Sequence, residues 1–330
     1  MTEICLDDGI DPLAQRDWRD LVDSAGSVFH RGEFLAAWWR DHSRKYVDST
    51  IHTLRVTQGD DLIGGCVLTT RGQRIGFAGG FDVTDYMGPI ALPGHEEAVA
   101  AAVYDGLCSR FTWRDASLSG LDTTVPVCEA LVNRVTAADS TAKLSVYDQA
   151  PRITDAPAGF IAGLNAKRRA EVRRKRERLV EMVGELSLVD SDVTTLPEFV
   201  DRLLMWKAKA SSDTERFVIE YGDFVRDMSL SLAESASGGV VELRGGDGRS
   251  LASAITLTHG RIRYLYNMSF DAELVASFEK RVSPGAVLVA ELAQATIDSG
   301  QSFDFLRGAQ DYKLRLGGIP QDLQLIELHR

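Results

Sequence analysis

The residues best suited to chemistry in this 330-residue chain lie between positions 281 and 313. An apolar helix begins there with Ser283-Pro-Gly-Ala286, and it is followed by a strand that reads Phe303-Asp-Phe-Leu-Arg307. The first turn of a helix carries unpaired N–H groups and about half a positive charge, so it suits a phosphate or pyrophosphate. Open sheets usually bind their ligands at strand ends. Together, these features favour an acyl or aminoacyl transferase over a binding scaffold.

Acylation of an amine requires a group that accepts the amine proton and a group that protonates the leaving group. Asp304 or Asp311 is the predicted base. Tyr312 is the predicted acid, because the ordinary pKa of a phenol, about 10, is close to the basicity of a thiolate. Arg307 and Lys313 are predicted to hold phosphate or carboxylate groups. The structural alternatives are a salt bridge from Asp304 to Arg307 or Arg315 and a half-buried Tyr312. Weaker candidates for the same cleft are Lys207, Tyr264 and Tyr266.

Composition narrows the class of protein. The chain has a net charge of −11 and is 44% hydrophobic and 26% charged, which is typical of a water-soluble globular protein and disfavours general affinity for nucleic acids. Its four cysteines form no C-x-x-C pair and its six histidines show no H-x-x-x-H spacing, so we expect no metal site and a cytoplasmic location. We also expect no membrane partner, because the sequence has neither a signal-peptide pattern nor an apolar run of about 18 residues.

The two halves of the sequence repeat one order of elements, namely three strands separated by Gly- and Asp-rich turns, a helix and a further strand. In the first half these are 51–56, 62–69, 74–78, 95–111 and 115–121. In the second half they are 240–244, 250–258, 261–268, 284–299 and 302–306. We therefore predict an α/β (α+β) fold of tandem duplicated units, each a mixed, largely antiparallel sheet flanked by helices. The predicted units are 1–150 and 151–330, with the join near 148–157.

The helix starts of the two halves differ in charge. The first-half helix begins with Pro93-Gly-His-Glu-Glu97, where two carboxylates would repel a phosphate. The start at Ser283 carries no acidic residue. We therefore expect the donor site in the second unit.

A basic segment at 163–181 precedes the repeated elements of the second half. Its eight cationic residues are Lys167, Arg168, Arg169, Arg173, Arg174, Lys175, Arg176 and Arg178. One interpretation is a solvated helix whose arginines pair with acidic groups. The other is a phosphate-binding surface for CoA, a nucleotide or tRNA. The residues predicted to contact tRNA are Arg168, Arg169, Arg173, Arg174 and Arg176. The segment lacks interleaved aromatic residues, which disfavours sequence-specific reading of bases.

The chain resembles the CelD/BioF-like branch of the GNAT acyltransferase superfamily. The resemblance is carried by Ser283-Pro-Gly before an apolar helix, the strand Phe303-Asp-Phe-Leu-Arg-Gly308 and Asp311-Tyr-Lys313. The basic segment and the aromatic helix with Phe34-Leu-Ala-Ala-Trp-Trp39 extend it over nearly the whole chain. A neighbouring branch contains the FemA/FemX-like aminoacyl-tRNA-dependent transferases. The resemblance implies two GNAT-like units and transfer of an acyl group from a thioester or aminoacyl ester to an amine.

The pyrophosphate loop of that superfamily usually reads Arg/Gln-x-x-Gly-x-Gly/Ala, and this chain has Arg281-Val-Ser-Pro-Gly-Ala286. Pro284, which lacks an N–H, stands where the first Gly is expected. By resemblance, the predicted donor-binding residues are Arg281, Ser283, Gly285 and Ala286. The expected donor is acyl-CoA, such as acetyl-CoA, and the expected acceptor is an amine of a small metabolite, sugar or biosynthetic intermediate. The alternatives are an aminoacyl-tRNA donor and a non-catalytic scaffold formed by a degenerate duplicate.

Overall fold

The computed structural model describes residues 2–154, 160–278 and 281–330, and Pro157 of the predicted join lies outside them. Contacts divide the chain into a first unit, Met1–Gln149 with Gln321–Arg330, and a second unit, Ala150–Pro320. The sequence prediction placed the last ten residues in the second unit, whereas the structure places them in the first. The reason is the pairing of a C-terminal strand with a strand about 200 residues earlier, which no local pattern reveals.

The strands and α-helices are numbered in the order in which they occur along the chain. The strands are β1 (Thr2–Asp8), β2 (Ser49–Gln58), β3 (Asp61–Arg71), β4 (Arg74–Phe77), β5 (Ile90–Ala91), β6 (Asp115–Asp122), β7 (Lys143–Ile153), β8 (Ser187–Asp190), β9 (Gly238–Arg244), β10 (Ser250–His259), β11 (Ile262–Phe270), β12 (Ser302–Asp304) and β13 (Ile319–His329). The α-helices are α1 (Arg16–Ala25), α2 (Gly32–Lys45), α3 (Glu96–Arg110), α4 (Pro126–Ala138), α5 (Phe160–Gly163), α6 (Ala166–Val183), α7 (Leu196–Ala210), α8 (Ser212–Glu234), α9 (Ala272–Ala276), α10 (Pro284–Asp298) and α11 (Asp311–Arg315).

The first unit contains the strand order β1-β2-β3-β4-β6-β13, with β5 paired to β3. Its strands pair antiparallel except for β4 and β6, which run parallel. Parallel neighbours require a crossover connection, and α3 lies within it. The core of this unit is apolar and includes residues of α3, α4 and the sheet, such as Leu54, Leu107, Leu131 and Ile326.

The second unit repeats this arrangement in the order β7-β12-β11-β10-β9-β8. Strands β11 and β12 form its parallel pair, whereas β10 pairs antiparallel with β11 and β9, β8 with β9, and β12 with β7. Helix α10 lies in the crossover from β11 to β12, so its start lies next to the end of β11. The predicted tandem of mixed, largely antiparallel sheets flanked by helices is confirmed.

Helix α10 is fixed by apolar residues at helical spacing. Val287, Leu288 and Leu292 are buried in one cluster with Leu265 of β11 and Leu179 of α6. The N-cap residue of α6 is Asn165, whose side chain accepts a hydrogen bond from the backbone N–H of Arg168 at 3.0 Å. The buried Leu179 and the ion pair of Arg176 with Glu291 hold this basic helix against α10.

Candidate active site

The parallel strands β11 and β12 separate at a defined point. Their register ends at Tyr264 opposite Asp304, after which β12 stops while β11 continues to Phe270. The chain turns away two residues later, where Leu306 adopts a left-handed φ of 58°. This geometry opens the sheet beside the last residues of β11.

A β-bulge lies in β11 just beyond the separation point. Ile255 pairs with Asn267 and Thr256 with Leu265, so Tyr266 is an extra residue on β11. Period-two alternation along a regular strand predicts that Tyr264 and Tyr266 share one face. The bulge breaks that alternation, and Tyr264 is buried whereas Tyr266 is half-buried.

Helix α10 begins at the open end of the sheet with an uncapped first turn. Its N-cap residue Ser283 makes no side-chain capping hydrogen bond, and the turn contains no acidic residue. The close approach of the helix start to β11 depends on Gly285, because a Cβ there would lie 2.5 Å from Met268 Cε. The N–H groups of Gly285 and Ala286 precede the first intrahelical hydrogen bond, which runs from Val287 N to Ser283 O. The helix therefore presents backbone donors where an anion can bind.

These elements surround a cavity of about 440 Å³, here named the Ser283 cavity. Its lining residues are Met268, Phe270, Val275, Arg281, Val282, Ser283, Pro284, Gly285, Ala286 and Tyr312. Four predicted donor-binding residues and the predicted acid Tyr312 thus share one site. The apolar wall was missed by sequence reasoning, although Met268 and Phe270 stand two apart on one strand and that spacing could have indicated it.

A second cavity of about 220 Å³, the Arg176 cavity, lies between α6, α10 and α11. Its charged residues are Arg168, Lys175, Arg176, Arg315, Glu171, Glu291 and Asp311. Arg176 Nε lies 2.9 Å from Glu291 Oε1. Lys175 Nζ lies 2.8 Å from Glu171 Oε1, and its hydrogen bond lowers the pKa of Glu171. Ala286 and Tyr312 line both cavities, which therefore adjoin.

The predicted phosphate-binding residues of the basic helix differ in their surroundings. Arg168 and Arg176 line the Arg176 cavity, whereas Arg173 and Arg174 are exposed. Arg169 instead donates hydrogen bonds to the carbonyl oxygens of Ala162 and Leu164, just before α6. Two of the five predicted tRNA contacts therefore line this cavity, and one is hydrogen-bonded to the backbone just before α6.

Tyr312 is the predicted catalytic residue that the structure places in a cavity with the donor-binding loop. Burial raises the pKa of its phenol to about 12. The phenol is therefore protonated at neutral pH and can donate a proton. Asp311 precedes Tyr312 but points elsewhere. Its exposed carboxylate pairs with Arg315, and it lines the Arg176 cavity but not the Ser283 cavity.

The remaining predicted residues line neither cavity. Asp304 is buried and accepts a hydrogen bond from Arg152 Nε at 2.8 Å. Lys313 is also buried, and its ammonium donates to the carbonyl oxygens of Leu306 and Arg307. These hydrogen bonds, with one from Leu306 N to Asp304 Oδ1, connect both side chains to the loop between β12 and α11.

Lys207 lies on α7, and burial lowers its pKa. Its ammonium lies 5.1 Å from the centroid of the Phe217 ring, a cation–π contact, and it lines neither cavity. Among the described residues, no group of three His, Cys, Asp or Glu side chains is placed to hold a metal ion. No described helix is both long enough and apolar enough to cross a membrane.

In the second unit, the uncapped start of α10 lies beside the separating strands β11 and β12. Residues 166–314 match the family model of the acetyltransferase (GNAT) domain. The matched residues lie within the second unit, which is therefore a GNAT-type domain, as its sequence pattern predicted. No curated protein matches the sequence at a significant level.

Solved structures share the tandem fold over the full chain. FemX has a TM-score of 0.60 at 10% identity, over 98% of this chain and 96% of that one. A conserved protein of unknown function from Bacteroides thetaiotaomicron VPI-5482 has a TM-score of 0.63 at 11% identity, over 99% and 100% of the two chains. A tandem GNAT protein from the clavulanic acid biosynthesis pathway has a TM-score of 0.50 at 12% identity, over 100% and 98%. At these identities, the likeness concerns the fold.

Proposed function

We propose that this protein is an N-acyltransferase that binds an acyl-CoA in the Ser283 cavity and transfers the acyl group to an amine of a small molecule. One observation carries the proposal: the uncapped start of α10, Arg281 and the protonated Tyr312 converge on one cavity where β11 and β12 separate. The GNAT family match over residues 166–314 supports it independently.

Each part of the donor finds a matching surface. The pyrophosphate is placed against the N–H groups of Gly285 and Ala286, where the helix dipole favours negative charge. Arg281 adds a fixed positive charge beside it. The largely apolar arm that carries the thioester follows the wall formed by Met268 and Phe270.

The proposed step attacks the thioester carbonyl with a neutral amine. The new C–N bond forms as the C–S bond breaks, and Tyr312 gives its proton to the departing sulfur. The amine nitrogen then loses a proton to solvent, and the Tyr312 phenolate takes up a proton from solvent. No described carboxylate lines the Ser283 cavity, and Asp304 and Asp311 are held elsewhere. In the proposed step, the amine enters as its free base.

Titration calorimetry with acetyl-CoA tests this proposal. We expect saturable binding of one donor per chain, and release of CoA when amines are added. The absence of saturable heat at millimolar acetyl-CoA would reject CoA as the donor.

An aminoacyl-tRNA donor is the second candidate, favoured by the cations of α6. Arg168 lines the Arg176 cavity and has no ion pair with any described carboxylate, and Arg174 is exposed. An aminoacylated RNA hairpin would then bind through both residues. Replacing both by Gln should weaken hairpin binding and reduce the slope of log K against log salt by about 2. Arg226→Gln on α8 is the matched control, and an unchanged salt slope in the double variant would reject this candidate.

A further inference from the structure

Leu306 lies in the left-handed region, with a φ of 58°, and both of its peptide groups are held by side chains. Its N–H donates to Asp304 Oδ1 at 2.7 Å. Its carbonyl oxygen accepts from Lys313 Nζ at 3.0 Å, and the same ammonium donates to the Arg307 carbonyl oxygen at 2.7 Å. A β-carbon disfavours this region, so the conformation persists because the surrounding hydrogen bonds impose it.

The two holding groups are buried charges. The exposed fraction is 1% for Asp304 and 5% for Lys313. The second carboxylate oxygen of Asp304 accepts from Arg152 Nε at 2.8 Å, across the antiparallel pair of β12 and β7. Buried charges are retained only when they are hydrogen-bonded. Their partners include the backbone of one loop and Arg152 on a neighbouring strand, and neither charge lines the Ser283 cavity or the Arg176 cavity.

We propose that Asp304 and Lys313 are positioning residues that set the place of Tyr312 in the Ser283 cavity. We call Asp304, Leu306 and Lys313 the Leu306 clamp. Lys313 directly follows Tyr312 on α11, so anchoring its ammonium to the loop fixes the start of α11 on the end of β12. The inference rests on the proposed role of Tyr312 as the proton donor. It replaces the predicted roles of Asp304 as a base and Lys313 as a phosphate-binding residue.

Kinetics of Lys313→Met test the clamp, because Met keeps the length of the side chain and removes its donor. We expect kcat to fall at least about tenfold while the donor KM changes less than about threefold. The double variant Lys313→Met with Tyr312→Phe should be no slower than Tyr312→Phe alone, because Lys313 acts through that phenol. A double variant markedly slower than Tyr312→Phe would overturn the proposal.

Two substitutions of Asp304 test whether the hydrogen bond to Leu306 matters apart from the negative charge. Asn at 304 keeps an oxygen that can accept the Leu306 N–H, so Asp304→Asn should retain more activity than Asp304→Ala. Glu242→Gln is the matched control, since Glu242 is equally buried and pairs with Arg202 at 2.8 Å away from both cavities. It should lower stability and leave kcat unchanged. Equal activity of the Asn and Ala variants would contradict the clamp.

A readout independent of turnover separates this inference from the proposed function. In protein labelled with 3-fluorotyrosine, the Tyr312 resonance is assigned by its loss in Tyr312→Phe and followed by ¹⁹F NMR against pH. In Lys313→Met, we expect the Tyr312 phenol to titrate at lower pH than in the wild type, with faster amide exchange at Leu306, whether or not a donor has been found. Unchanged phenol titration and exchange would reject the clamp, whereas absence of transfer in the wild type would reject only the function.

Discussion

The two units contain the same parallel strand pair but complete it differently. In the first unit, β4 and β6 pair from Arg74 opposite Asp115 to Gly76 opposite Ser117. The next chain segment, 78–88, then packs against β6, where Met87 N donates to Gly120 O at 3.0 Å. A Cβ on Gly88 would lie 3.0 Å from Leu121 Cδ2, so little space is left there. In the second unit, the corresponding place beside β11 adjoins the Ser283 cavity.

The first turns of α3 and α10 also differ in charge. Helix α3 begins with Glu96 and Glu97, and its own dipole is satisfied by these carboxylates. Helix α10 begins with Pro284 and has no acidic residue in its first turn. In the first unit this place is therefore occupied by the chain's own backbone and charges, whereas in the second unit it adjoins the cavity in which we propose that the donor binds.

The largest loss of donor affinity is expected when the first turn of α10 is given an acidic residue, as in α3. Ala286→Glu places a carboxylate in the first turn of α10, where it repels the donor pyrophosphate. We expect donor affinity to fall by about a hundredfold, measured by titration calorimetry. Ala286→Gln is the matched control of similar size and should fall much less. Equal losses in the two variants would mean that size rather than charge matters.

Removing the phenol should give the next largest effect. Tyr312→Phe keeps the ring and removes the proton donor, so kcat should fall by about a hundredfold with little change in donor affinity. Tyr221→Phe on α8 is the control and should retain full activity. A fully active Tyr312→Phe variant would show that the leaving group needs no acid from this residue. It would contradict the proposed role of Tyr312.

A smaller effect is expected at the close approach of α10 to β11. A methyl group at Gly285 meets the flexible end of Met268, which can shift only partly into the cavity. Gly285→Ala should weaken donor binding about fivefold, and Met268→Ala in the same chain should restore most of it. Failure of Met268→Ala to restore binding would place the effect in the backbone instead.

The pH dependence of stability should show a modest contribution from Tyr312. Burial raises the pKa of its phenol to about 12, above the ordinary value of 10 that it regains on unfolding. The native state thus favours the protonated phenol. Its contribution is fully present below pH 10 and is lost as the pH rises towards 12. Denaturant unfolding of the wild type and Tyr312→Phe should therefore show a stability difference that shrinks over this window. A constant difference would contradict the burial of the phenol.

Sequence patterns predicted the elements that depend on local periodicity. The helix expected at 284–299 is Pro284–Asp298, and the strand expected at 302–306 is Ser302–Asp304. The apolar spacing of Val287, Leu288 and Leu292 was sufficient for the helix. The missing strand end follows from the left-handed Leu306, which side-chain hydrogen bonds impose and no propensity indicates.

The candidate site was only partly predictable, because its geometry depends on pairings between distant residues. Arg152 and Asp304 are 152 positions apart, so their ion pair could not be read from the neighbourhood of either residue. The bulge at Tyr266 also has no local signature. By contrast, the helix start at Ser283 and the aromatic Tyr312 were identified by residue type and spacing.

The central claim is that the donor binds to the second unit at the start of α10. Hydrogen exchange with and without saturating acetyl-CoA tests it most directly, because both helix starts are observed in one experiment. We expect slower exchange at 285–288 and 305–316, with no change at 94–100. Protection at 94–100, or no protection at either helix start, would contradict the account.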